Sequence, residues 1–292
     1  MKAMVRAPGS CGELVQGTVE GKNFLITCPV DLYSEVVVQD DASPVVAAGG
    51  KAVEAVERTW AYLGIRPERF SVRVESALPK GKGMASSSAD ISAACQAAAV
   101  CCGRLLTPDE IADIALAIEP TDGIFYPGIV MFDHVGGLTR RFLGFPPPLS
   151  VAIFDVGGQV DTLQFNQRSD LIVLNRAKES QVEQAVALVT RGLVSGDCGL
   201  IGQGATLSAL ANQSILHKAC LPAILELLPR YGAVGVNTAH SGTVIGILFP
   251  GVITEKIGEC IAAVQTACPE LTFLRTARVI TGGLTVIEGG SQ

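Results

Sequence analysis

A basic excess is missing from this chain, in which 22 lysines and arginines stand against 28 aspartates and glutamates, a formal net charge of −6 over 292 residues. General nucleic-acid binders and proteins that settle on anionic membranes need a basic face to neutralise phosphates. Neither class fits, and any cationic patch has to be local to a site. No apolar run is long enough to cross a bilayer, and the opening MKAMVRAPGSCGEL has no apolar leader core. None of the nine cysteines forms a CxxC pair, their number is odd, and Cys101 and Cys102 are adjacent. That argues against a zinc ribbon or a disulfide framework and reads as small buried hydrophobes in a reducing cytoplasm. Aromatic residues make up only 5% and charged residues 17%, yet 48% hydrophobic residues are ample for the core of one large domain or two ordinary ones.

What is present in unusual density is glycine and serine between Pro79 and Asp90, PKGKGMASSSAD. Gly81 and Gly83 let the backbone approach a ligand closely, and Ser86, Ser87 and Ser88 offer hydroxyls and N-cap chemistry ahead of an alanine-rich helix. FSVRVES, Phe70 to Ser76, alternates as a strand does, so the order is strand, glycine-rich loop, helix, which aims helix amides at an anion. Glycine and serine often do no more than punctuate a turn. Two glycines, two lysines and three serines exceed that need, and the segment fits a phosphate loop of neither the GxGxxG nor the GxxxxGK[ST] type.

Elsewhere the expected strands are Phe24 to Pro29, Glu35 to Gln39, Ser150 to Val156, Gly235 to Asn237, Thr243 to Phe249, Thr272 to Leu274 and Arg278 to Ile280. The expected helices are Val53 to Leu63, Gln181 to Val194, Leu200 to Ala211, Leu221 to Leu228 and Thr254 to Ala267. Thr107-Pro108-Asp109-Glu110 is a helix start, with a threonine cap, proline in the first turn and acids against the dipole, and Pro120 stops that helix. Pro146-Pro147-Pro148 can continue neither helix nor central strand, so the boundary between two halves, 1–148 and 149–292, is placed there.

Two further segments stand out, Ala7 to Gly17 (APGSCGELVQG) and Gly232 to Phe249 (GAVGVNTAHSGTVIGILF). Taken alone, Pro8-Gly9 is an ordinary turn, Glu13 a solvated acid, Ser241-Gly242 a hairpin turn, and His240 a satisfied loop or core histidine. Together with the glycine-rich loop they resemble the three motifs of the GHMP kinases, the third closing over the transferring phosphoryl group. Pro79, Gly83, Met84, Ala85, Ser86 and Ser87 fall in the frame of the second motif, with Met84 and Ser88 as mild departures. Within that superfamily the chain resembles most the L-threonine kinases of cobalamin biosynthesis. The carrying stretches are PGSCGELVQG, CPVDLYS, KGMASSSADI, IEPTDGIFYPGIVMFDH, GVNTAHSGTVIGILF and RVITGGL.

The resemblance implies an α+β fold, with an N-terminal half like ribosomal protein S5 domain 2 and a ferredoxin-like C-terminal half holding ATP between them. It implies phosphorylation of the side-chain hydroxyl of free threonine with ATP and Mg²⁺, supplying O-phospho-L-threonine for the cobalamin nucleotide loop, by a monomer or homodimer. Nucleotide contacts fall on Pro79, Gly81, Lys82, Gly83, Met84, Ala85, Ser86, Ser87 and Ser88, and metal contacts on Ser87 and Glu119. Magnesium takes hard oxygen ligands and borrows the rest from phosphates and water, so two protein ligands suffice. Lys82 and loop amides stabilise charge on the γ-phosphate, and Asp122 is the candidate general base, an optional part of a loose transition state.

Acceptor contacts fall on Ser10, Cys11, Gly12, Glu13, Asp31, Asp133, His134, His240, Ser241 and Gly242. Relatives usually carry asparagine at the position of Glu13, and a carboxylate there suits an ammonium group, alone or with Asp31 or Asp133. His240 supports by hydrogen bonding, and Arg275 or Arg278 is offered to the carboxylate. Two other readings stay open: homoserine or another small alcohol as acceptor, and a nucleotide-binding regulator without catalysis.

Overall fold

The computed structural model describes residues 1–39, 50–66, 69–160, 164–165, 167–252 and 254–290. Two 18-residue strands, β1 (Lys2–Val19) and β2 (Lys22–Gln39), form a long antiparallel hairpin turned at Glu20-Gly21. β1 is the first departure from expectation, because Ala7 to Gly17 reads as turns and loop in sequence. Its prolines and glycines are absorbed as bulges: the pairing with β2 shifts between Pro8 and Gly9, Ser10 and Glu13, and Glu13 and Val15. A bulge inserts unpaired residues and bends the strand without ending it. β2 likewise joins two expected strands into one.

The remaining strands are β3 (Ser71–Ser76), β4 (Ile129–Phe132), β5 (Arg140–Gly144), β6 (Leu149–Asp155), β7 (Gly235–Thr238), β8 (Val244–Pro250), β9 (Thr272–Val279) and β10 (Thr285–Gly290). They form one sheet in the order β10-β1-β7-β8-β6-β9-β2-β4-β5, with β3 added to β2 and β1 also paired to β2. The C-terminal strands enter the hairpin at its bulged middle, where Glu13 pairs with Thr238 of β7 and Val30 with Val279 of β9. Pro146 to Pro148 therefore lies between β5 and β6 of a single hydrogen-bonded sheet.

The helices are α1 (Gly50–Tyr62), α2 (Ser86–Cys101), α3 (Pro108–Leu116), α4 (Leu171–Ser195), α5 (Cys198–Ala211), α6 (Leu221–Tyr231) and α7 (Glu255–Ala267). α3 begins as its sequence dictates: Thr107 accepts from the Glu110 amide while the Glu110 side chain accepts from the Thr107 amide. α2 packs on both the hairpin and α1, and its buried Ala89, Ala93, Ala94, Ala97 and Ala98 have small side chains that let a helix lie close to its neighbours. Strand periodicity splits β6 between two cores. Val151 and Ile153 face the larger cluster with α4 and α5, whereas Ala152 and Phe154 face a smaller one with α6 and α7. Among the described residues no helix is long and apolar enough to cross a membrane.

Candidate active site

The glycine-rich loop between β3 and α2 is fastened by its backbone to both other singled-out segments. Met84 O accepts from Ser10 N at 3.1 Å and Gly83 O from Gly12 N at 3.2 Å. Lys82 O accepts from Thr243 N at 2.8 Å and Val244 N at 3.1 Å. The approach is close enough to require glycine. Gly83 has φ +82°, and a Cβ there would stand 2.3 Å from the Cβ of Ala239; a Cβ on Gly242 would stand 2.4 Å from the Gly83 backbone. Three segments more than 150 residues apart in part thus share one junction.

One local expectation is corrected. The serines do not cap α2: the N-cap is Ala85, held in the left-handed region at φ 55°, and no side chain accepts from the first turn. A non-glycine residue there is uncommon and marks a constrained backbone. It frees the hydroxyls for other partners. Ser87 Oγ donates to Glu119 Oε1, and Ser88 Oγ accepts from Asp122 N at 2.9 Å and lies 3.3 Å from Asp122 Oδ2. Glu119 is buried at the end of the α3 segment, and its other oxygen receives Lys51 Nζ at 2.5 Å, a lysine half exposed at the start of α1. Burial first, and then repulsion from Glu119, push the Asp122 carboxyl up to about 6 against the hydrogen bond from Ser88.

Glu13 sits at the bulge of β1, 4% exposed, and its Oε2 accepts from His240 N at 2.5 Å. Burial and the Asp122 carboxylate raise its pKa well above the ordinary range, more than the His240 amide lowers it. The His240 ring meets His134 (centroids 4.9 Å apart) and Phe165 (5.0 Å), and burial, then His134 and Lys178, hold its pKa well below 6.5. Asn237 Nδ2 donates to Cys11 O, and Gln16 Nε2 to Thr238 O at 3.2 Å, fixing the strand junction around Glu13. Lys178 of α4 is 4% exposed and donates to Asn212 Oδ1 at 2.8 Å and Gln16 O at 3.5 Å, and among the described residues no carboxylate stands in ion-pair range; burial pushes it down to about 8.

An L-threonine kinase of Salmonella typhimurium is 34% identical over 251 residues, 84% of this chain and 82% of the relative. The chain belongs to the L-threonine kinase family. Residues 49–126 match the GHMP kinases N terminal domain, which contains the glycine-rich loop and α2. Homoserine kinase from Cytophaga hutchinsonii superposes with a TM-score of 0.71 at 18% identity, covering 98% of this chain and 97% of its own. MDDEF in complex with MVAPP, AMPPCP and magnesium superposes with a TM-score of 0.69 at 14% identity, covering 99% of both chains. The α+β fold is that of the GHMP kinases.

In this L-threonine kinase family member several expected acceptor residues are engaged elsewhere. Asp31 Oδ2 accepts from Arg278 Nε at 2.8 Å and Oδ1 from Arg278 N at 2.7 Å, so residues offered to opposite ends of an amino acid neutralise each other. Asp133 accepts from the amides of Val135, Gly136 and Leu138 at 3.0–3.2 Å and holds its own turn. Arg275 lines a cavity of about 380 Å³ with Leu32, Leu78, Pro79 and Met84, beside the glycine-rich loop. Lys82 Nζ is paired with Asp155 Oδ2 at 2.7 Å and with Gly158 O at 2.7 Å. Sequence reasoning missed Asp155, Lys51, Lys178 and Lys218. For Lys178 a signal existed: with Asn175, Val182, Ala185 and Val189 it lies on the buried stripe of α4, a position where a lysine is costly.

Proposed function

We propose that this kinase transfers the γ-phosphoryl group of ATP to the side-chain hydroxyl of free L-threonine, yielding O-phospho-L-threonine and ADP. The observation carrying this reading is that a buried carboxyl and a buried ammonium both act on His240. Glu13 Oε2 accepts from the His240 amide, and the Lys178 ammonium acts electrostatically on the His240 ring. A zwitterionic amino acid has the matching arrangement of charges. Its ammonium goes to Glu13 and its carboxylate to Lys178, in place of the Asp31, Asp133, Arg275 and Arg278 partners that sequence alone offers. Neutral His240 contributes hydrogen bonding, beside His134, Ser10, Cys11 and Gly12.

Ser87 and Glu119 are hard oxygen donors in contact at the head of α2, a set that fits magnesium completed by phosphate and water oxygens. The ion would supply neutralisation of charge on the β- and γ-phosphates. Lys51, long and half exposed, holds the buried Glu119 carboxylate, and a bound cation would take over its role as counter-charge. The backbone from Pro79 through Gly81, Gly83 and Ala85 to Ser86 and Ser88 cradles the phosphates, and Lys82 adds a cation drawn from Asp155. We place the N-terminal ATP-binding half at 1–148 and the ferredoxin-like C-terminal half at 149–292, and the cytoplasm, with cobalamin nucleotide-loop synthesis consuming the product, as the setting.

Asp122 takes the hydroxyl proton. A base must be ionised, and Asp122 ionises above about pH 6. kcat/KM for threonine is therefore expected to fall as the pH drops through about 6, and Asp122→Asn to flatten that limb. A limb unchanged in the variant would remove Asp122 from the role. The proposed reaction is tested by ADP release with threonine, serine and homoserine. Threonine should exceed serine by roughly 10–200-fold in kcat/KM, the range one methyl group allows in an apolar niche.

A further inference from the structure

The segment linking α5 to α6 carries a second buried lysine. Lys218 is 3% exposed, and its backbone is pinned: its amide donates to Gln213 Oε1 at 2.7 Å and its carbonyl accepts from Leu221 N at 3.1 Å. Its ammonium donates to Gly242 O at 2.7 Å. The next amide on the same peptide plane, Thr243 N, donates to Lys82 O at 2.8 Å. One peptide, Gly242–Thr243, is thus gripped on its carbonyl edge by Lys218 and on its amide edge by the glycine-rich loop.

That peptide sets the spacing of the two loops that face the nucleotide, since Gly242 already touches the backbone of Lys82 and Gly83. A neutral donor would suffice to hold a carbonyl. An ammonium buried for the purpose loses its hydration, and among the described residues no carboxylate stands in ion-pair range to compensate. Asp155, an acid acting on it, is bound to Lys82. The missing negative charge is what a polyphosphate held between the loops would bring.

We propose that Lys218 is a positioning residue for the nucleotide phosphates, clamping the Gly242–Thr243 peptide against the glycine-rich loop and taking its counter-charge from the bound polyphosphate. The inference rests on the kinase reading above but not on threonine as acceptor. It also predicts linked protonation. Burial pushes Lys218 down to about 8, opposed by Cys220, a thiol itself raised to about 11, and by Asp155; Lys82 faces the same acid from the loop. Phosphates arriving beside it should draw a proton onto Lys218 at pH 8–9.

Binding of MgADP is measured by titration calorimetry at pH 8.5 in two buffers of different ionisation enthalpy, on the parent protein, Lys218→Met and Lys218→Arg. The parent protein is expected to take up part of a proton on binding. Lys218→Met should lose that uptake and bind MgADP about 10–150-fold more weakly, the span of one lost hydrogen bond to a charged group. Lys218→Arg should recover affinity without the uptake, because a guanidinium stays charged. Lys218→Met binding as tightly as the parent, or weaker binding in all variants with the uptake intact, would overturn the inference. A parent protein that binds no nucleotide would instead overturn the kinase reading and this inference with it.

Discussion

Glu119→Ala is expected to lower kcat by about 10³-fold or more while leaving the KM for threonine within about twofold, because charge neutralisation at a transferring phosphoryl group is worth several kcal/mol and acts mainly in the transition state. In the proposed site the side chain acts on phosphate and not on the acceptor. It contacts Ser87 at the head of α2, whereas Glu13 contacts the His240 amide. Loss of its ion pair with Lys51 should matter little for folding, since that lysine is 51% exposed. Steady-state kinetics with threonine and ATP varied separately distinguish the outcomes. A normal kcat would take Glu119 out of the site, and a matching rise in the threonine KM would place it with the acceptor.

Glu13→Gln is expected to do the reverse. A glutamine retains the shape and still accepts from the His240 amide, but it offers an ammonium no charge. Charge-assisted hydrogen bonds contribute about 1.5–3 kcal/mol, so the threonine KM should rise roughly 10–150-fold with the ATP KM unchanged. Stability should move the other way. Burial and Asp122 raise the folded-state pKa of Glu13 above its value in the unfolded chain. The native state therefore binds that proton more tightly, and ionising Glu13 costs stability as the pH climbs between the two values. The glutamine escapes this cost, so thermal unfolding at pH 7 should occur at the same temperature or higher. Equal losses of threonine and ATP binding with a lowered Tm would make Glu13 a structural residue.

The parts legible in sequence are those determined locally. The capped start of α3, the alanine face of α2 and the strand–loop–helix order around Gly83 depend on neighbours within a few positions, and the structure places them as read. β1 was not legible as one strand, because Pro8, Gly9 and Gly12 interrupt its alternation and only pairing with β2 and β7 carries the chain through. The same holds for side chains whose meaning is tertiary. Asp31 and Arg278 lie 247 positions apart and cancel through a strand pairing that no local pattern encodes. Lys218 looks like a solvated lysine until the segment before α6 is folded onto the Gly242 loop. Convergence of the three singled-out segments rests on glycines whose missing side chains make room for each other, a property visible only in pairs.

Phosphorus NMR of the protein incubated with ATP, magnesium and L-threonine tests the account most directly. It should show a phosphomonoester signal coincident with authentic O-phospho-L-threonine, growing mole for mole with ADP. Loss of the γ-phosphate to inorganic phosphate without that signal, or a faster phosphoester from an acceptor lacking the amino-acid charges, would contradict it.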